Sequence, residues 1–428
     1  MKRQRQGTLV PLASLTAFAL LSSVATAAPL QEPATGSEMD QLNQSAKEGW
    51  AGLREWLGSG EAYLNLRPRF ENVDVDGFNK EASAFTLRTV LGYKLGKYGK
   101  FTGALEFEDV QPIGDSSYNS TINGNSSRPV IADPAGGEVN QAYLIYSFDD
   151  KTLAKVGRQE VVLDNARFIG NVGWRQNHQS FDAVAVVSDA IEGVNLLYAY
   201  VQNANRINGD FHAAGDIGAQ AHLLHLAHKI DGVGDLAVYD YLLDLDIDSI
   251  STTTMGARLA GDHALNDDQK ILYAVEYAMQ KDAGDNPNNV DANYMLGEIG
   301  MGIKTYKFKL GYELLEGDGT DGQFNTPLAT LHAFNGWADM FLATPTNGLE
   351  DTYFLASGKF DKVTLTGVYH SFSADSSSAD YGTELDFSAG YAWADGLTFG
   401  LKYADFSAEN GSGFADTTKY WLWADMSF

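Results

Sequence analysis

The 428-residue sequence contains no cysteine. That excludes a disulfide framework, thiolate metal sites and thiol nucleophiles. Positive charge is scarce: 30 Lys and Arg stand against 56 Asp and Glu, a formal net charge of −26. Such a balance excludes a nucleic-acid partner, because a polyanion needs a basic face. Beyond the first thirty residues no apolar run is long enough for a helix to span a bilayer. There is no glycine-rich phosphate-binding motif and no blade-length repeat of the kind a propeller needs. An exported chain without disulfides must rely on a large core, several domains or a closed sheet.

What is present begins at the amino terminus. Lys2, Arg3 and Arg5 precede the uncharged stretch TLVPLASLTAFALLSSV, and ATAAPLQE offers small residues for cleavage after Ala27. This pattern predicts a secretory signal peptide over 1–27, since Pro11, Ser14, Thr16, Ser22 and Ser23 interrupt it as an anchor. A second segment, 28–60, carries Leu42, Ala46, Trp50, Leu53 and Leu57 at helical spacing. A short amphipathic helix over about 38–57 follows, ended by Gly58 and Gly60.

From 61 to 428 the period changes to two. AYLNLRPRFENV sets Leu64, Leu66 and Phe70 against Asn65, Arg67, Arg69 and Glu71; KFTGALEFEDV sets Phe101, Leu105 and Phe107 against Thr102, Glu106 and Glu108. About eighteen such segments can be drawn (16–18), each a strand with one apolar face. Their joins alternate between short, as in FDDKT, KFDKV and WADGL, and long, as at 112–136, 162–177 and 317–348. Alternating joins place all short turns at one end of a meander, the layout of an all-β transmembrane antiparallel barrel in the outer membrane of a Gram-negative bacterium. Lysines gather beside the short turns (Lys94, Lys97, Lys100, Lys151, Lys304 and Lys359 among them), while the long joins are rich in Asp.

The chain ends KYWLWADMSF, with Tyr420, Leu422, Ala424, Met426 and Phe428 in one strip. A last strand that pairs with the first closes the sheet and leaves no tail. Only closed barrels and helices satisfy every backbone hydrogen bond in hydrocarbon. The terminal Phe also resembles the end of outer-membrane proteins that the barrel-assembly machinery reads. Outer-membrane lipid and lipopolysaccharide are the other expected partners.

Arginine is unevenly placed. None follows Arg258, and Arg67, Arg69, Arg88, Arg158, Arg167 and Arg175 fall within the first five strands and the join after them. Arg67, Arg69 and Arg88 lie on the non-apolar face; Arg158 is out of step with Lys155, and its inward aim is inferred. Two roles fit these residues. They form a positive arc that draws anions, or they pair with Glu71, Glu106, Glu108 and Glu160 to satisfy a polar interior. The stretch 162–177 carries Phe168, Ile169 and Trp174, odd in a solvated loop, so it folds into the lumen as a constriction or packs on the rim.

The stretches VGRQ, DNARFIGNVGWRQNHQSFDA, LRPRFE and LHAFNGWADMFLATPTNGLEDTYF resemble the alginate export family of outer-membrane channels. The resemblance implies an 18-stranded barrel, partly gated by loops, that conducts an acidic polysaccharide through an arginine-rich constriction. Carried over by motif position, Arg67, Arg69, Arg88, Arg158, Arg167 and Arg175 form that path. The implied function is passive passage of an anionic solute, an alginate-like polysaccharide or a small organic anion. A non-selective porin and a plugged structural or adhesive barrel are the alternatives. Neither catalysis nor a cofactor is expected. Three weaker features remain. Asp244, Asp246 and Asp248 are Ca²⁺ candidates in an outer loop. His222, His225 and His228 cannot share a strand face. His178, Ser180 and Asp182 have the spacing of a nucleophile–base pair.

Overall fold

The computed structural model describes residues 36–428, so the signal peptide expected over 1–27 lies outside the described residues. Helix α1 spans Gly36–Gly58, a residue or two beyond its expected ends. Its last turn is tied locally: the Trp56 indole Nε1 donates to the Gly96 carbonyl at 2.6 Å, and its ring lies 5.7 Å from that of Tyr98.

Eighteen strands follow: β1 (Glu61–Val75), β2 (Ala82–Tyr98), β3 (Phe101–Ser117), β4 (Gly136–Ser147), β5 (Thr152–Gln159) and β6 (Ser180–Ser188). Next come β7 (Val194–Asn205), β8 (Asp216–Ile230), β9 (Gly234–Leu243), β10 (Thr252–Asn266), β11 (Gln269–Asp282) and β12 (Asp291–Ile303). The last six are β13 (Tyr306–Leu315), β14 (Leu349–Phe360), β15 (Val363–Ser373), β16 (Asp380–Ala394), β17 (Leu397–Ala408) and β18 (Thr417–Ser427). They form one 18-stranded sheet closed by the β1–β18 pairing. Every pairing with a described register is antiparallel, and short and long joins alternate as the sequence indicates.

Closure explains the carboxyl terminus. Leu66 pairs with Met426 and Arg69 with Trp423. The Phe428 amide donates to the Leu64 carbonyl at 2.9 Å, and the Leu64 amide to the Phe428 carbonyl at 3.2 Å. The final residue therefore belongs to the ladder. Tyr420 and Leu422 face outward, while Trp421 between them is fully buried.

The outer wall carries Val275, Leu310, Phe354 and Leu385, each about half exposed. In water such a belt would be an association surface; around a closed barrel it is the hydrocarbon-facing band. The inward faces are covered in their turn. Val161, Leu163, Phe168 and Ile169 of loop 160–179, with Phe324, Leu328 and Phe341 of loop 316–348, join Tyr239, Tyr241, Tyr294, Phe372 and Phe406 of the wall in one buried cluster. Phe168 lies 5.3 Å from both Tyr239 and Tyr294. Burying each such side chain contributes roughly 1.5–3 kcal/mol, which is what draws these two loops inward.

Candidate functional site

The two inward loops are joined to each other before they are joined to the wall. Ile169 and Leu328 form a parallel bridge; the Gly170 amide donates to the Leu328 carbonyl at 2.9 Å and the Thr330 amide to the Ala166 carbonyl at 3.0 Å. The buried Gln179 amide Nε2 donates to both the Gly170 and Leu328 carbonyls, at 2.8 and 3.0 Å. Asp164, Ala166, Val172, Asn335 and Asp339 all adopt positive φ in these loops. Such backbone persists only where surrounding contacts over-determine it. The pair of inward loops is thus a fixed, hydrogen-bonded structure.

Four of the six arginines named from the sequence anchor it. Arg67 donates to Gln176 Oε1 at 2.9 Å and to the carbonyls of Gly173, Trp174 and Arg175. Arg69 contacts the Trp174 carbonyl, Glu71 and Asp133. Arg175 reaches back to Glu71 at 2.7 Å and to Asp133 at 3.4 Å. Two guanidiniums and two carboxylates, from β1 and the loops 118–135 and 160–179, therefore close one buried square. Burial alone would raise the Asp133 carboxyl, but Arg175 and Arg69 pull it down to about 2. Burial would likewise lower Arg175, and Asp133 and Glu71 raise it instead. Arg167 does the same work on the far side: its Nε donates to Glu313 at 2.8 Å and its Nη2 to Asn335 at 3.1 Å. The Glu pairing anticipated for the arginines holds for Glu71; Glu106, Glu108 and Glu160 instead gather around Tyr63, Asn140 and His178.

Arg88 is different. It donates to His178 Nε2 at 2.6 Å and Asn65 Oδ1 at 2.7 Å, with its nearest carboxylate, Asp425, at 3.8 Å. His178 in turn donates from Nδ1 to Glu160, at 2.8 Å. Lys94 lies over the Tyr63 ring at 5.2 Å and Lys155 over the Tyr143 ring at 3.8 Å. Lys94 and Lys155 form no ion pair among the described residues, Arg88 has only the loose one to Asp425, and Arg67 bonds neutral partners alone.

Arg158 departs from the expectation that it lines the path. In the β5–β6 ladder it pairs with Asp182, while Lys155 pairs with Ala185 and Val156 with Val184. Val156 and Val184 are exposed outward, and Ala185 and Gln159 are buried. Period-two alternation puts Arg158 with Val156, on the outer wall. There it bonds Asp182 at 2.8 Å. Its displacement from the Lys155 face is real, and no bulge corrects it.

Sequence reasoning missed the seat of the second inward loop, where lysine and histidine replace arginine. The Lys402 ammonium sits 3.9 Å from the Trp174 ring and 4.0 Å from the Trp337 ring, and donates to His332 Nε2 at 2.9 Å. His332 Nδ1 in turn faces Asp339 at 2.6 Å, and Lys419 closes on the same carboxylate at 2.9 Å. The carboxylates of Asp386 and Glu384 accept from the backbone amides of Trp337 and Ala338. The available signal was parity: Lys402 shares a face with buried Ala404 and Phe406, and Lys419 with Trp421.

The lesser features stay apart. His225 turns inward to Asp164 at 2.9 Å while His222 meets Tyr198. Asp182 is engaged with Arg158 and His178 with Glu160, so they do not assemble with Ser180. No group of three or more His or acidic side chains able to hold a metal occurs among the described residues; Asp244 and Asp246 lie beyond the end of β9, with Asp248 in a 3-10 turn.

A closed barrel with a hydrocarbon-facing exterior and inward-folded loops is an outer-membrane channel. The alginate export family matches residues 64–320, and the chain belongs to that family. No curated protein matches the sequence. Among solved structures, Acinetobacter baumannii OccAB2 is similar with a TM-score of 0.68 at 16% identity, covering 87% of this chain and 98% of that one. Pseudomonas aeruginosa OccK9 (OpdG) gives 0.66 at 14%, covering 87% and 99%. P. aeruginosa OpdK, solved with vanillate, gives 0.66 at 15%, also covering 87% and 99%. At these identities the likeness is one of fold.

Proposed function

We propose that this outer-membrane channel passes an anionic solute by diffusion, guided on the short-turn side of the constriction by Arg88, Lys94 and Lys155. The observation that carries the reading is weak neutralisation: Lys94 and Lys155 have no ion pair among the described residues and Arg88 only one of 3.8 Å, to the part-exposed Asp425, when Arg69, Arg167 and Arg175 are each neutralised by buried acids. An unneutralised cation in a narrow passage attracts anions; a neutralised one shapes the passage. In this reading the arginine path is divided: Arg88 meets the solute, whereas Arg67, Arg69, Arg167 and Arg175 hold the constriction in place. Family membership supports an acidic polysaccharide as the solute. A small organic anion is the second reading, favoured by the inward Ile145, Val187 and Leu197 beside Lys155, which offer nothing to sugar hydroxyls.

The same proposal includes removal of residues 1–27 on export and recognition of the Phe428 strand by the assembly machinery. The wall is taken to meet outer-membrane lipid and lipopolysaccharide, and no cofactor is invoked. The test is the reversal potential of the purified protein in a planar bilayer under a salt gradient. Anion preference that collapses in Arg88→Ala/Lys155→Ala supports the reading. Cation preference in the wild type, or a double variant with unchanged selectivity, refutes it.

A further inference from the structure

Four inward aromatic rings lie across bare backbone. Tyr63, Tyr239, Tyr353 and Trp423 fill the space that a Cβ would take at Gly92, Gly256, Gly311 and Gly400. A ring packed over glycine is held against the wall and turns its other face away from it. Tyr239 loses that face to the buried cluster, and Trp423 packs against Trp174 at 5.2 Å. Tyr63 and Tyr353 stay half-exposed.

These two differ in charge. Each hydroxyl donates to a carboxylate, Tyr353 to Glu298 at 2.7 Å and Tyr63 to Glu106 at 2.5 Å. Glu298 is also paired with Lys309 at 3.0 Å, so the lysine beside Tyr353 is neutralised. Lys94, 5.2 Å from the Tyr63 centroid, forms no ion pair among the described residues. A second half-exposed ring stands near Tyr63. In the β3–β4 ladder Glu106 pairs with Gln141 and Ala104 with Tyr143, so Tyr143 is one inward position from the carboxylate that Tyr63 bonds. Lys155 lies 3.8 Å from its centroid. The Asn140 amide bridges Glu106 and Glu160, at 2.7 and 2.8 Å.

Two ring faces, two free ammoniums and two carboxylates therefore share this stretch of wall. A bare inorganic anion gains only from the lysines and is repelled by Glu106 and Glu160. An arene carboxylate uses rings and lysines and leaves the carboxylates facing nothing. A pyranose bearing a carboxylate uses all three: its axial C–H groups meet the negative ring face, its carboxylate meets an ammonium, and its hydroxyls donate to the glutamates. We propose that Tyr63 and Tyr143, with Lys94 and Lys155, form a binding station for a uronate sugar ring on the short-turn side of the inward loops. The inference rests on the anion-passage reading above and adds to it a ring-shaped, hydroxylated solute. A free sugar acid and a unit of an acidic polysaccharide share that chemistry.

The test is block of ionic current in a planar bilayer by a mannuronate hexamer, by sodium glucuronate and by sodium benzoate. Wild type is compared with Tyr63→Ala, Tyr63→Phe and Tyr353→Ala, each shown to be a folded barrel by heat-modifiable migration. Uronate block should weaken about ten-fold in Tyr63→Ala, stay near wild type in Tyr63→Phe, which keeps the ring, and stay unchanged in Tyr353→Ala. Block by the hexamer alone assigns the station to the chain, and equal block by glucuronate assigns it to the free sugar acid. Benzoate block of equal strength and equal dependence on Tyr63 overturns the choice of a sugar. A wild type that neither uronate blocks overturns the station, as does undiminished block in Tyr63→Ala, equal loss in Tyr353→Ala, or a Tyr63→Phe as weak as Tyr63→Ala; anion preference of the wild type under a salt gradient then leaves the functional reading standing. Cation preference refutes that reading and this inference with it.

Discussion

The Trp174 indole of one inward loop lies flat on the His332 ring of the other, with centroids 4.7 Å apart and planes inclined by 5°. Trp421 and Trp423 of β18 meet Trp174 edge-on at 5.6 and 5.2 Å. The seam between the two loops is therefore nailed to the strand that closes the barrel. Trp174→Ala should cost about 3–5 kcal/mol of local packing while leaving the sheet intact. Single-channel recordings should show larger and noisier conductance with unchanged heat-modifiable migration; a quiet channel of wild-type conductance would count against the seam.

Arg175 and Arg167 should behave as anchors. Removing one partner of a buried ion pair strands the other, a penalty of about 3–5 kcal/mol. Arg175→Ala should expose loop 160–179 to limited proteolysis, because Glu71 and Asp133 lose the one of their two shared cations that belongs to the loop, Arg69 being on β1. Arg175→Ala/Asp133→Asn should be less susceptible than the single variant. If Arg175→Ala leaves the loop protected, the buried square is not what holds it.

The seat of loop 316–348 should weaken in acid through His332. Burial lowers its pKa to about 3, with the Lys402 ammonium also pushing down against the pull of Asp339. A solvated histidine titrates near 6.5, so the released loop binds a proton before the seated one. The seat is thus fully stable above about pH 6.5 and loses up to about 1.4 kcal/mol per unit as pH falls toward 3. Channel opening should rise over that window, and His332→Phe, which keeps the stack and carries no proton, should flatten the slope. An identical pH profile in the variant would exclude His332 as the sensor.

Gly336 offers a backbone test of the same seat. Its φ is +85°, and an added Cβ would run into the Glu384 carboxylate, which accepts from the Ala338 amide at 2.6 Å. Left-handed backbone costs a non-glycine residue roughly 1–2 kcal/mol before any clash. Gly336→Ala should therefore raise conductance, whereas Gly390→Ala, with open space around its Cβ position, should not. Equal recordings from both would mean that the Glu384 contact does not set the loop.

Much of the barrel was legible because period two and alternating join lengths are local properties. The β1–β18 closure could be read from the Tyr420–Phe428 strip, and the inward aim of Arg67, Arg69 and Arg88 from parity. Arg158 was harder: the sequence shows it out of step with Lys155, but only the Arg158–Asp182 register shows that no bulge turns it back inward. Lys402 and Lys419 gave a parity signal, yet their meaning depends on loop residues distant in sequence, such as Trp337 and Asp339.

The sequence by itself determined the closed sheet, the hydrocarbon-facing band and the end at which each turn lies, since each follows from spacing along the chain. It also placed Phe168, Ile169 and Trp174 where solvent could not hold them. The tertiary structure alone decided what the arginines do. A guanidinium reads the same in sequence whether it faces a passing anion or a buried carboxylate, and Coulomb energy depends on distance and burial. Folding brought Glu71, Asp133 and Glu313 to Arg69, Arg175 and Arg167, and left Arg88 with only Asp425, at 3.8 Å.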